Sequence, residues 1–361
     1  MPVRGSEIRR VRGICRGIQG VRGREDAGAG APVEKTAAGQ EKITMENIFL
    51  YLLYFVLFSV LTAVIGLLAS WVDRKVTARV QYRVGPPWYQ GFADFLKLMG
   101  KETVVPEGAR FTGFLISPLI GLAGIALVSV IVWVVNLRLA SSFVGDLIVV
   151  LYLLVLPSLA VILGASASRN PLAGVGASRE MKLMLGYELP FVLAMIVPIL
   201  RSGGMLKLND LLVYQQNNGS FLSGGIAGIS ISGAIAFITA IICMQAKLTL
   251  VPFDIPEAET EIMAGVYIEY SGPALAVFKL TKAMMLFTVP AFLITVFWGG
   301  MNFSSPINWI QSILKYIVLL VIIILIRNTN PRLRIDQAMK FFWGKLSFLA
   351  IAALILAVFG F

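Results

Sequence analysis

The chain has 361 residues, 57% of them apolar and only 14% charged, with 31 Lys and Arg against 20 Asp and Glu, no His and two Cys. That charge content is well below the roughly one-quarter of a water-facing domain. Without imidazole, His metal sites, His-ligated haem and Ser-His-Asp catalysis are excluded, and Cys15 and Cys243, far apart in sequence, hold no iron–sulfur cluster alone.

Residues 1–44 carry nine Lys and Arg, are rich in Gly and Ala, and lack a hydrophobic signal core, as disordered tails do. Met45 directly precedes the first apolar run, so a start at Met45 is expected, with 1–44 an upstream start-codon artefact rather than a basic functional arm. From there the uncharged runs Asn47 to Ser70, Phe111 to Leu137, Leu147 to Ser168 and Phe221 to Ala246 each exceed the ~20 residues that span a bilayer. The expectation is an all-α integral membrane protein with a single membrane domain over 45–361. Its eight spans fall near 47–71, 112–136, 147–167, 183–201, 224–247, 272–298, 308–327 and 341–360. The fourth, sixth and seventh carry internal charges: Glu188, then Lys279 and Lys282, then Lys315. Cys243, inside the fifth, is a small packing residue.

Between the first two spans, Phe92, Phe95, Leu96 and Met99 follow i, i+3, i+4, i+7 spacing, with Asp94, Lys97 and Lys101 opposite. That predicts an amphipathic surface helix over Gly91 to Glu102. Lys and Arg sort by connection. The first holds Arg74, Lys75, Arg79, Arg83, Lys97, Lys101 and Arg110, the third Arg169, Arg179 and Lys182, and the seventh Arg332, Arg334 and Lys340. The alternate connections are nearly bare, so the odd-numbered loops are expected to be cytoplasmic and both termini outside. The basic surplus thus reads as membrane topology and points to the bilayer, not to nucleic acid.

Beyond Met45 there are fifteen acidic residues, and six crowd one region. The fifth connection, VPFDIPEAETEIMAGVYIEYSGP, holds Asp254, Glu257, Glu259, Glu261 and Glu269, and Glu188 is available from span four. Asp254 is expected to cap a helix begun by Pro256, on which Glu257 and Glu261 share a face. Helix-start chemistry explains only part of the cluster, because like charges at that spacing repel. Glu188 lies inside a span beside Tyr187, with Pro190 and Pro198 predicting a broken helix that lines a polar cavity. A proton-relay role is preferred there over a carboxylate near the end of a later-starting helix. Lys279 and Lys282 have two readings: snorkelling to the surface, or, for Lys279, inward pairing with the acidic cluster.

PFDIPEAETEIMAGVYIEYSG, with DRKVTARVQYRVGPPWYQGFADFLKLMGKE upstream, resembles the membrane subunit of respiratory complex I that docks the hydrophilic arm (the NADH dehydrogenase subunit 1 family), over essentially everything from Met45 onward. NPLAGVGASREM and NPRLRIDQ resemble the energy-converting NiFe-hydrogenases, while Tyr187-Glu188 is closer to complex I. The resemblance therefore places the chain nearest the archaeal ferredoxin-linked membrane-bound hydrogenase and sulfane-sulfur reductase branch. It implies a subunit of an oxidoreductase complex that is non-catalytic alone and carries no cofactor or metal. The NiFe centre and iron–sulfur clusters would sit in a peripheral large subunit and small subunit, with antiporter-like and small membrane subunits alongside, in a prokaryotic plasma membrane. An acidic path coupling redox chemistry to H⁺ or Na⁺ movement would draw on Glu188, Glu257, Glu259, Glu261, Glu269, Asp254, Asp94, Asp73 and Lys279. Asp73 stands where the family more often has Glu. Docking of the peripheral module would fall to Arg74, Arg79, Arg83, Arg179, Arg332 and Arg334, since arginine makes planar, charge-assisted contacts. The alternatives are a quinone-binding subunit of complex I proper and a free-standing secondary transporter. A purely structural anchor would leave Glu188 without a use.

Overall fold

The computed structural model describes residues 45–139, 145–223 and 230–360; the expected extension 1–44 lies outside them. These residues form helices joined by turns. They are α1 (Met45–Val80), α2 (Gln90–Met99), α3 (Phe111–Leu137), α4 (Asp146–Leu153) and α5 (Leu156–Ala167). There follow α6 (Pro171–Arg201), α7 (Leu208–Asn218), α8 (Ile231–Lys247), α9 (Gly272–Phe297), α10 (Pro306–Thr329) and α11 (Ile335–Val358). Among the described residues, seven stretches are long and apolar enough to cross a membrane: α1, α3, α4 with α5, α6, α9, α10 and α11. The fifth expected span corresponds to α8, whose 17 residues lie at the lower limit for a crossing; residues 224–229 at its expected start are outside the described set.

Three expectations change. α6 begins at Pro171, not 183, because the Asn170 side chain caps it by accepting from the Leu172 amide at 2.8 Å; Arg179 and Lys182 therefore sit on a helix and not in a connection. α6 also runs unbroken through Pro190 and Pro198. The break lies in the third span instead, at Leu154–Val155, just before Pro157 opens α5. Proline suits a first helical turn, where its missing N–H costs nothing. Finally, α1 continues to Val80, so Arg74, Lys75 and Arg79 decorate its last turns.

α9 is the central helix: 89% of its most apolar stretch is buried, against 22% for α1. Helices approach closely in an apolar medium through small residues. A Cβ on Gly66 of α1 would lie 2.3 Å from the Ala283 carbonyl oxygen of α9, so no larger residue fits there. The amphipathic helix forms as expected. Its loop folds back on α1 through Trp71 Nε1, which donates to Pro86 O at 3.0 Å, and Arg74 reaches Asp94 at 3.3 Å.

All four odd-numbered connections lie at one end of the bundle and are tied together. Arg327 pairs with Asp73, Arg332 with Asp254 at 2.9 Å, Arg179 with Glu261 at 2.6 Å, and Asn170 donates to Glu269 at 2.5 Å. α8 starts at the opposite end, where Arg201 bonds Ser230. It stops at Lys247 beside Glu188, which is roughly 20 Å along α6 from Arg201 at 1.5 Å per residue. The remaining depth is filled by the acidic connection, and that places carboxylates inside the bundle.

Candidate charge-relay site

Glu188 projects from the middle of α6 and bonds Lys247 Nζ at 3.0 Å; the lysine side chain is fully buried and the glutamate 24% exposed. The ammonium sits 5.1 Å from the ring centres of both Tyr187 and Phe191, a cation–π cradle, and reaches the Leu154 carbonyl at 3.5 Å where the third span breaks. Buried Phe342, in the π-helical turn Phe341–Leu346 of α11, packs edge-on against Tyr187 with ring centres 6.4 Å apart. A buried charge needs such a partner set, because unpaired it would cost several kcal/mol.

Two turns earlier on α6 lies Glu180, 1% exposed, with Oε2 buried and without a hydrogen-bond partner. Glu180 lines a small cavity with Ser158, Lys247, Glu257, Tyr267 and Lys282; at about 30 Å³ it has room for one or two waters. On its far wall Lys282 of α9 donates to both oxygens of Glu257, at 2.7 and 2.6 Å, and Thr249 adds a bond of 3.1 Å. The acidic connection reaches this position because Gly176 leaves room for it: a Cβ there would lie 2.9 Å from the Val266 nitrogen. Met263, Ala264 and Gly265 then reverse the chain with φ of 51°, 68° and 41°. Lys282 also borders a second cavity, of about 230 Å³, shared with Ser70, Asp73, Arg74, Lys279 and Arg327. Asp73 is buried beside Arg327, with its Oδ1 unpartnered.

The expected path residues therefore divide. Glu188, Glu257 and Asp73 face the interior. Asp254 is half-buried; its side chain caps no helix but pairs with Arg332. Burial raises its carboxyl above the ordinary Asp value, opposed by the Arg332 cation. Glu259 and Glu261 are exposed. Glu257 and Glu261 share no helical face, because the chain is extended at Ala258 between Ile255–Glu257 and Glu259–Ile262. Glu269 holds the α6 cap through Asn170, and Asp94 lies in the α2 loop network. Lys279 is exposed, and Lys282 makes the inward pair. Among the docking candidates, Arg74, Arg179 and Arg332 are engaged by this chain's own acids. Arg79, Arg83 and Arg334 are exposed, with no ion pair among the described residues.

Sequence reasoning missed Glu180 and Lys247. The Asn170-Pro171 pair, a capping residue before a first-turn proline, was the available signal that α6 starts early enough to carry Glu180 inward. Lys247 had no such signal, since a lysine closing an apolar run is ordinarily at the surface.

A sequence profile described as NADH dehydrogenase matches residues 52–358. The H subunit of the NADH-quinone oxidoreductase of Thermomicrobium roseum is 36% identical over 323 residues, 83% of this chain and 92% of that protein. Its counterpart in Brevibacillus brevis is 32% identical, covering 81% and 88% respectively. In structure the chain resembles one from the membrane-bound sulfane sulfur reductase, an archaeal respiratory membrane complex, with a TM-score of 0.76 and 28% identity over 85% of this chain and 99% of the other. The profile spans most of the chain and the bundle matches in three dimensions, so this multi-pass membrane protein belongs to the NADH dehydrogenase family.

Proposed function

We propose that the chain is the membrane subunit of a respiratory complex of the complex I or sulfane-sulfur-reductase type, docking a peripheral redox module and coupling it to ion translocation. One observation carries this reading: fully buried Glu180 shares one small cavity with Lys247 and the Glu257–Lys282 pair, and Lys247 also binds Glu188. Three carboxylates face two ammonium groups. With all five ionised, one negative charge is left without a partner in a poorly hydrated interior, and a shared proton balances it. A redox-driven change in charge nearby then moves that proton between carboxylates. The second cavity, with Asp73, Arg327 and Lys282, extends the polar route toward the tied loops.

The peripheral module, a NiFe-type large subunit with an iron–sulfur small subunit, supplies the redox centres; among the described residues no group of three or more His, Cys, Asp or Glu is placed to hold a metal. It docks on the odd-numbered connections, which face the cytoplasm of a prokaryotic cell by the positive-inside rule. Exposed Arg79, Arg83 and Arg334 are the contacts left open to it. Antiporter-like subunits receive the charge laterally. In assembled complexes, Glu188→Gln and Glu257→Gln keep size and hydrogen bonding but cannot titrate, so ions moved per electron fall. Both variants pumping at the wild-type ratio would refute the reading.

A further inference from the structure

A groove of about 510 Å³ runs between α3 and α5 and shares no lining residue with the charged cavities; it is lined by Arg110, Thr112, Ile116, Ile120, Leu163 and Arg169 among others, with no acidic residue. We propose that it is a site for one anionic phospholipid, the phosphate held by Arg110 and Arg169 and a hydrocarbon chain lying along α3.

The two arginines share one end because the Arg110 amide donates to the Ala167 carbonyl at 3.0 Å, pinning the start of α3 to the end of α5. Both are exposed, and neither joins an ion pair among the described residues. Two cations without counter-charge at a helix boundary call for an anion, and basic pockets between membrane helices suit lipid headgroups. Below them the groove is mostly apolar, with Ser117 and Ser166 as polar members of its lining: Ile116 is 46% and Leu163 53% exposed, and Gly113 lets the helices close to form the floor.

Charge and depth select the occupant. Arg110 to Ile120 covers about 15 Å of helix, half the hydrocarbon thickness. An anionic phospholipid joins a phosphate to hydrocarbon chains, which matches two cations above a mostly apolar wall of that depth.

The test uses the purified complex, stripped of lipid and titrated with phosphatidylglycerol or phosphatidylcholine while bound lipid is counted by native mass spectrometry. Two arginine–headgroup contacts correspond to about 30-fold in affinity. Arg110→Gln with Arg169→Gln should therefore weaken phosphatidylglycerol about 30-fold and phosphatidylcholine less, because the choline cation already offsets its phosphate charge. Leu163→Trp, at an exposed position, should weaken both lipids by filling the groove, and it carries the test if the double variant does not assemble. Wild-type phosphatidylglycerol binding in either variant overturns the proposal. So does disulfide cross-linking of a Leu163→Cys variant to another polypeptide.

Discussion

Replacing Lys247 by Met removes the ammonium from Glu188 while keeping an apolar stem against Tyr187 and Phe191. At 3.0 Å, and with an effective dielectric of about 20, the pair's gross attraction is about 5 kcal/mol. Removing one member of a buried pair costs about 3–5 kcal/mol. Glu188 is about a quarter exposed and can bind water, so the lower end applies: about 3 kcal/mol for Lys247→Met. Adding Glu188→Gln removes the stranded charge and should recover most of that loss, because replacing a whole buried pair is commonly neutral. The coupling is read from a double-mutant cycle on thermal unfolding of the purified complex, with ions moved per electron measured in parallel. Stability should return in the double variant and pumping should not. A Lys247→Met complex as stable as wild type, or a double variant no better than the single, would refute the argument that this pair is a buried, mutually dependent unit.

Arg79→Gln with Arg83→Gln should release soluble redox subunits from washed membranes at lower salt than wild type, because both side chains are exposed and join no ion pair among the described residues; unchanged retention would move docking elsewhere. Arg332→Gln removes the cation that opposes burial at Asp254. Its raised carboxyl value then rises further, and the protonated carboxyl band in infrared spectra should persist to higher pH. By linkage, a carboxyl with a raised value favours the folded state at low pH, and that contribution fades as pH rises through the folded-state value. A band that titrates at lower pH than in wild type would contradict it.

Much of the architecture is legible in composition. Uncharged runs place the spans because lipid tolerates few charges, and the 3-and-4 spacing of Phe92, Phe95, Leu96 and Met99 marks α2. The acidic connection stands out because carboxylates gather there against the usual bias for Lys and Arg. Less legible is what hydropathy cannot weigh. Residues 171–182 are only mildly apolar, so Glu180 reads as loop until the Asn170-Pro171 cap is given its weight. Inward and outward lysines on α9 differ by a helical rotation of about 60°, and local pattern cannot assign Lys282 inside and Lys279 outside when the whole helix is apolar. Nor do the prolines mark the break: α6 passes through two of them, and the discontinuity serving Lys247 lies in another span.

Glu180 is fully buried, bears an unpartnered oxygen and shares one cavity with Lys247 and the Glu257–Lys282 pair, so its substitution bears hardest on the relay. The measurement is the number of ions translocated per electron in membranes carrying an assembled Glu180→Gln complex, beside Glu180→Asp, which keeps a titratable group. Glu180→Gln should lower the ratio severalfold while the peripheral module stays bound, and Glu180→Asp should retain part of it. A Glu180→Gln complex that pumps at the wild-type ratio would contradict the claim that the buried carboxylates carry the coupling.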